Sequence, residues 1–191
     1  LVDAGKVRFA GVSNFTGAEL RRCDNLRRQD GMARIHSVQN LYHLLKREVE
    51  QELIPACRDT GTSVIAYGAL ARGILAGKYR LGTPLPSGSR AESSSNVRAD
   101  LDPAVLSIVQ NLDEFARERG RSVGQLTLAW ILRIPEVSTT VVGIRNEQQL
   151  LKNLPGADWS LTQQEITSID EIVGEPKHFE HLPLGARFRP E

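Results

Sequence analysis

Between residues 63 and 78 the chain carries an aromatic ring, three glycines and two cations, in the order Tyr67, Gly68, Arg72, Gly73, Gly77 and Lys78. Glycine has no Cβ, so the backbone can come close to an anion there, and Arg72 and Lys78 can bring charge to it. Tyr67 offers a flat face on which a planar ligand stacks. These residue types suit a ligand that is planar at one end and anionic further along. Taken alone, the stretch reads equally as a strand followed by a glycine-rich surface loop.

Three more polar groups close apolar runs in the same way: Ser13-Asn14, Gln39-Asn40 and Gly143 to Arg145. Their amides and hydroxyl supply donors and acceptors together. Each also has a plain structural reading, Ser13-Asn14 as loop and cap ahead of Thr16 and Gln39 as a satisfied strand-end amide. His36, His43, His178 and His181 show no HxH or HExxH spacing, and Cys23 and Cys57 no CxxC, so no metal site is expected. His36 reads as a strand-surface residue, the other histidines as loop residues and Trp130 as core packing.

The elements that must position these groups follow a regular order. Residues 6–12, 35–39, 63–67 and 139–142 read as strands, each ending in one of the polar groups. Thr16 and Glu19 have capping-box spacing for a helix to about Arg28, and Ser122 and Gln125 repeat it for an apolar helix ending near Pro135. A helix from Lys46 to about Asp59 should be kinked or broken at Pro55. Asp102-Pro103 is an N-cap and first-turn proline for a helix with an apolar stripe from Val105 to Ala116, stopped at Gly120. Asn146 with Gln149 and Thr162 with Glu165 open two last helices, to about Asn153 and Val173. Residues 80–102, rich in proline, glycine and serine, form a long loop and a candidate lid.

Strands alternating with helices, with no hairpin turn between them, specify right-handed βα units and an all-parallel sheet. The open-sheet dinucleotide fingerprint GxGxxG is absent, and four polar strand ends facing one ligand are barrel logic. The 191 residues hold 24 basic and 23 acidic side chains, a formal charge of +1, which gives no electrostatic case for nucleic acid. No apolar run is long enough to span a bilayer and no signal arrangement opens the chain, so no membrane partner is expected. With only two cysteines, a reducing, cytoplasmic setting fits. The start at Leu1, in what reads as a helix tail closed by Gly5, suggests that an upstream part is missing.

Four motifs carry a resemblance: GKVRFAGVSNF at 5–15, QNLYHLLKR at 39–47, AYGALARGILAGKY at 66–79 and GIRNEQQLLKN at 143–153. Together, in this order, they resemble the C-terminal half of an aldo-keto reductase. The resemblance implies an α/β fold, a parallel (β/α)8 TIM-type barrel of which this chain supplies the last four βα units over residues 1–173, with 174–191 as a C-terminal tail. It implies an oxidoreductase reducing aldehydes or ketones with NADPH. Ser13, Asn14 and Gln39 would hold the nicotinamide carboxamide, and Tyr67 would stack on its ring. Gly68, Ala69, Leu70, Gly73 and Lys78 would follow the pyrophosphate, with Arg90 closing over it. Gly143, Arg145, Gln149 and Asn153 would take the adenosine end, Arg145 favouring the 2′-phosphate of NADP through its fork of donors. Tyr42 and His43 lie where the substrate end begins.

Some positions depart from the family pattern. Tyr67-Gly68-Ala69-Leu70 stands where the family commonly reads Tyr-Ser-Pro-Leu, removing a hydroxyl from the phosphate, and Lys152 replaces an acidic residue beside the last asparagine. The family's Asp, Tyr, Lys and His of catalysis come from the first four strands, and no stretch here matches them. No catalytic residue is assigned, and neither Tyr67 nor Tyr42 fills the gap. The partners implied are a small-molecule carbonyl substrate and the missing N-terminal half of the barrel. Two other readings stay open: a dinucleotide-binding regulatory subunit resembling potassium-channel β subunits, and a self-associating half-barrel. Alone, four strands leave two unpaired edges and put Val7, Ile35, Ile65 or Val141 against water or an ill-packed gap, so a stable monomer is not expected.

Overall fold

The structure is a computed structural model and describes residues 1–174; His178, His181 and the expected coil tail lie outside the described residues. Four strands, β1 (Ala10–Ser13), β2 (Ile35–Leu41), β3 (Ser63–Tyr67) and β4 (Val137–Thr140), pair in parallel in the order of the chain. Helices α1 (Gly17–Asp30) and α2 (Leu53–Thr60) form the first two crossovers. The third is longer and holds α3 (Arg90–Ser93), α4 (Ser95–Ala99), α5 (Pro103–Arg117) and α6 (Val123–Leu132). After β4 come α7 (Glu147–Asn153) and α8 (Gln163–Val173).

The expected caps form. Thr16 with Glu19, Ser122 with Gln125 and Thr162 with Glu165 make reciprocal capping boxes, while Asp102 and Asn146 each accept a backbone N–H at their helix start. Other boundaries shift. Ladder pairing begins only at Ala10, so Val7 and Phe9, which alternate like strand residues, stay exposed. The strand expected at 139–142 runs instead over β4, because a register shift after Val64 lets Val137 pair with Val64 and Thr139 with Ile65. The helix expected from Lys46 is divided into a 3₁₀ turn, Glu48–Glu50, and α2. Pro55 falls in the first turn of α2, where its missing N–H breaks no helical bond. The long loop at 80–102 contains α3 and α4 and is anchored by buried Ala91, Val97 and Asp100.

Register decides what each side of the sheet presents. Val12, Val38, Val64 and Val137 are register partners across all four strands, and the last three are buried under the helices. One residue further on, Ser13, Gln39 and Ile65 are partners and point to the opposite face, and across the register shift Thr139, two residues beyond Val137, pairs with Ile65. Ser13, Gln39 and Thr139 are exposed and Ile65 half-buried. Parallel sheets are ordinarily covered on both faces; among the described residues this one is covered on one. Of the interior positions singled out in the sequence, Val7 and Val141 are exposed, whereas Ile35 packs partly on the core. Exposed apolar side chains gather at the two ends of the sheet: Val7, Phe9, Leu26 and Met32 by β1 and α1, and Val141, Ile144, Leu151 and Leu154 by β4 and α7.

A half-buried polar knot joins the end of β2 to the last helices. The Tyr42 hydroxyl donates to Glu50 Oε1, Arg133 donates to both Tyr42 Oη (3.0 Å) and Glu50 Oε1 (3.2 Å), and Arg47 bridges Glu50 (2.9 Å) and Asp170 (2.8 Å). Trp130, fully buried as packing, has the Arg133 guanidinium 3.6 Å from its ring centroid and that of Arg47 at 4.7 Å. Burial pushes the Glu50 carboxyl up, but hydrogen bonds from Arg47 and Tyr42 and the charges of Arg47 and Arg133 outweigh it and hold the group below the ordinary 4.5. A depressed carboxylate stabilises the fold above its unfolded pKa, and that contribution is lost as pH falls through the folded value. Glu50→Gln should therefore destabilise the protein at neutral pH, by about 1.5–3 kcal/mol for the charge-assisted hydrogen bonds it weakens. The difference from wild type in urea unfolding should shrink below pH 4.5; a pH-independent difference would remove Glu50 from the acid limb.

Candidate functional site

The polar strand ends meet because parallel pairing brings them out on one side. At the end of β1, Ser13 Oγ donates to the Gln39 carbonyl (3.0 Å), and the Asn14 N–H donates to the same oxygen (2.9 Å). Reaching it turns Asn14 into the left-handed region, φ +58°, which asparagine tolerates better than most residues. The Tyr67 hydroxyl donates to Asn14 Oδ1 (2.8 Å), and Asn40 Nδ2 donates to the Phe15 carbonyl (3.0 Å). Ser13, Asn14, Gln39 and Tyr67 are thus one connected cluster spanning three strands. Tyr67 shares the face of Gln39 and Ile65 by alternation and is half-buried.

Beyond Tyr67 the chain turns tightly. Gly68 has φ +70°, and a Cβ there would lie 2.6 Å from Leu41 Cδ1. Ala69 is buried and Leu70 packs against the core. The Gly68 and Leu70 carbonyls accept from the N–H groups of Ala71 (2.8 Å) and Gly73 (2.7 Å), closing a turn in which Ala71, Arg72 and Gly73 all have positive φ. A Cβ on Gly73 would meet Lys78 Cε at 2.6 Å, so the exposed lysine lies back across the glycine. Arg72 does not stand over the loop as a free charge, since its Nη1 donates to Asp100 Oδ2 (3.2 Å).

A second group forms after β4, which the Val141 N–H ties to the Ala66 carbonyl (2.7 Å). Arg145 Nη1 donates to the Gly88 carbonyl (3.3 Å), its N–H donates to Gln149 Oε1 (2.9 Å), and Arg90 Nη2 lies 3.5 Å from where a Gly143 Cβ would sit. Both arginines are exposed, one on each side of the seam between the 80–102 segment and the β4 loop. Asn153, at the end of α7, stands apart beside Gly124.

Two residues left open in the sequence belong to the fold. Tyr42 is fully buried with its phenol bonded to Glu50 and Arg133, and burial pushes its acidity far from any use at neutral pH. His43 is also fully buried, its Nδ1 accepting from the Leu45 N–H (3.3 Å). Neither lines an open face. Among the described residues no group of three His, Cys, Asp or Glu side chains is placed to hold a metal, and no helix is long and apolar enough to cross a membrane. The sequence reading missed the Arg72–Asp100 pair and the Glu50 knot, whose partners lie far apart in the chain.

The model of the Aldo/keto reductase family matches residues 1–174. Similar proteins include the versiconal hemiacetal acetate reductase of Aspergillus parasiticus, 30% identical over 171 residues, which are 90% of this chain and 50% of that protein. The aldo-keto reductase YhdN of Bacillus subtilis is 32% identical over 176 residues, 91% of this chain and 51% of its own. The L-glyceraldehyde 3-phosphate reductase of Escherichia coli is 29% identical over 182 residues, again 91% and 51%. The chain spans about half the length of the curated relatives it matches.

The Asn14 geometry gives a graded test. Asn14→Ala loses the Tyr67 hydrogen bond and forces alanine into the left-handed region, about 1–2 kcal/mol of strain in addition to about 1 kcal/mol for the bond. Asn14→Gly loses only the bond. Denaturant unfolding should rank wild type, glycine and alanine variants in that order, and equal stability of the two variants would contradict it.

Proposed function

The chain belongs to the Aldo/keto reductase family, and on that premise we propose that it is the cofactor-binding half, strands five to eight, of an NADP-dependent reductase of aldehydes or ketones. The observation that carries this reading is the Tyr67 ring, tied by its hydroxyl to Asn14 at the open ends of three parallel strands. Chain features fit the cofactor in order. Gln39 presents an exposed side-chain amide beside Tyr67, suited to a carboxamide. The turn from Gly68 to Gly73, with Lys78 across it, has the close backbone and the cation that a diphosphate requires. Arg90 and Arg145 flank the seam where a further phosphate would rest.

NADPH, when bound, supplies hydride to a carbonyl carbon. The residues here hold and orient: Tyr67 fixes one face of a ring, Asn14 and Gln39 fix its rotation, and the glycine turn neutralises phosphate charge through backbone N–H groups and Lys78. The alkoxide formed on reduction needs a proton, and this reading takes the donor from a companion half. Support for that half lies in the sheet face left uncovered and the edges of β1 and β4 left unpaired among the described residues, the apolar side chains gathered at both ends and the double length of the relatives.

In the complete protein, Arg145→Ala should weaken NADPH about ten- to a hundredfold, the loss of one charge-assisted contact, while leaving NADH nearly unchanged. Fluorescence titration reads both, and equal losses would mean that Arg145 does not read the 2′-phosphate. The chain alone should not oxidise NADPH with any aldehyde of a test panel; turnover dependent on one of its own residues would overturn the division of labour.

A further inference from the structure

Ala71 and Arg72 hold positive φ, +44° and +56°, although neither is glycine. Such backbone persists only where the surroundings over-determine it. Part of the restraint is local, since the Leu70 carbonyl accepts from both Gly73 and Leu75 and Ala71 is buried. The other part comes from a distance. Arg72 reaches Asp100, which is completely buried at the end of α4, while the arginine side chain is 23% exposed. A carboxylate in that position is costly to hold without a cation, so the pair is a firm constraint on where Arg72, and with it the turn, can lie.

We propose that Asp100 is a positioning residue for the anion-binding turn at 70–73, acting through Arg72 to keep that turn in its left-handed form. The proposal rests on the dinucleotide reading of the turn given above. Asp100 touches no ligand in this account. It belongs to the same 80–102 segment that sets Arg90 beside Gly143 and Gly88 beside Arg145. Arg98 stiffens that segment by donating to the carbonyls of Ala91 (3.2 Å) and Glu92 (2.9 Å), and the Ala91 N–H donates to the buried Tyr79 hydroxyl (3.3 Å). One segment therefore presents a cation to the further phosphate and braces the backbone that meets the diphosphate. Arg72 and Lys78 then have different duties, the first facing protein carboxylate and the second lying over the turn.

The test uses the complete protein with Asp100→Asn, Arg72→Lys, Arg72→Ala and the Arg72→Ala/Asp100→Asn pair. Without ligand, Asp100→Asn should raise amide exchange about tenfold or more at 71–77 while leaving β1 and β2 as in wild type, and Arg72→Lys should restore most of the protection lost in Arg72→Ala. NADPH affinity should fall about tenfold in Asp100→Asn, and the second substitution should add nothing once Arg72 is alanine. If Asp100→Asn does not fold, the partly exposed Arg72 variants carry the same exchange readout, and an unchanged 71–77 pattern in Arg72→Ala overturns the proposal. It is equally overturned by unchanged exchange in Asp100→Asn, or by an affinity loss of the same size in both backgrounds. Absence of NADPH binding by wild type would defeat the dinucleotide reading, and the ligand-free exchange result would still decide whether Asp100 braces the turn.

Discussion

Parallel pairing is the constraint from which the rest follows. Strands that run the same way must all end on the same side of the sheet, so groups far apart in sequence come out beside one another without any contact designed to gather them. The Gln39 carbonyl makes this local: Ser13 and Asn14 both donate to it, and Asn14 then receives the Tyr67 hydroxyl. Three strand ends are joined through three side chains and the Gln39 main-chain carbonyl. The energy in each bond is modest, but together they orient the Tyr67 ring, and orientation is what the proposed nicotinamide site would need.

The two faces of the sheet keep the residues that stabilise the fold apart from those proposed to meet a ligand. The valine row of Val12, Val38, Val64 and Val137 supplies burial on the helix side. Ser13, Gln39 and Thr139, with Ile65 between them, leave the other face mostly polar. Polar residues at those positions cannot fill a barrel interior by themselves. A partner bringing bulky apolar side chains would fill it, and the exposed Phe9, Met32, Leu151 and Leu154 at the sheet ends would then find cover.

Much of this was legible from local pattern. Capping boxes announce themselves within four residues, and β3 stood out because a β-branched run, an aromatic and glycines follow in direct succession. Family membership was readable from four motifs in order. What was not legible depended on partners distant in the chain. Val7 and Phe9 alternate as a strand would, but ladder bonds begin only where Ala10 finds Ile35. The register shift after Val64 moved β4 toward Val137, which no propensity encodes. Tyr42 looked available at a strand end until Glu50, and Arg133 from α6's far end, enclosed it. Arg72 looked like a ligand cation until Asp100 claimed it.

The central claim is that the open face at Tyr67 receives a nicotinamide ring. In the complete protein, nuclear Overhauser contacts between bound NADP and tyrosine ring protons test it directly, with the Tyr67 signals assigned by their loss in Tyr67→Leu; Tyr42 and Tyr79 are buried and Tyr67 is half-buried. The account predicts contacts from the nicotinamide ring protons to the Tyr67 signals. Saturating NADP with no contact to those signals would contradict it.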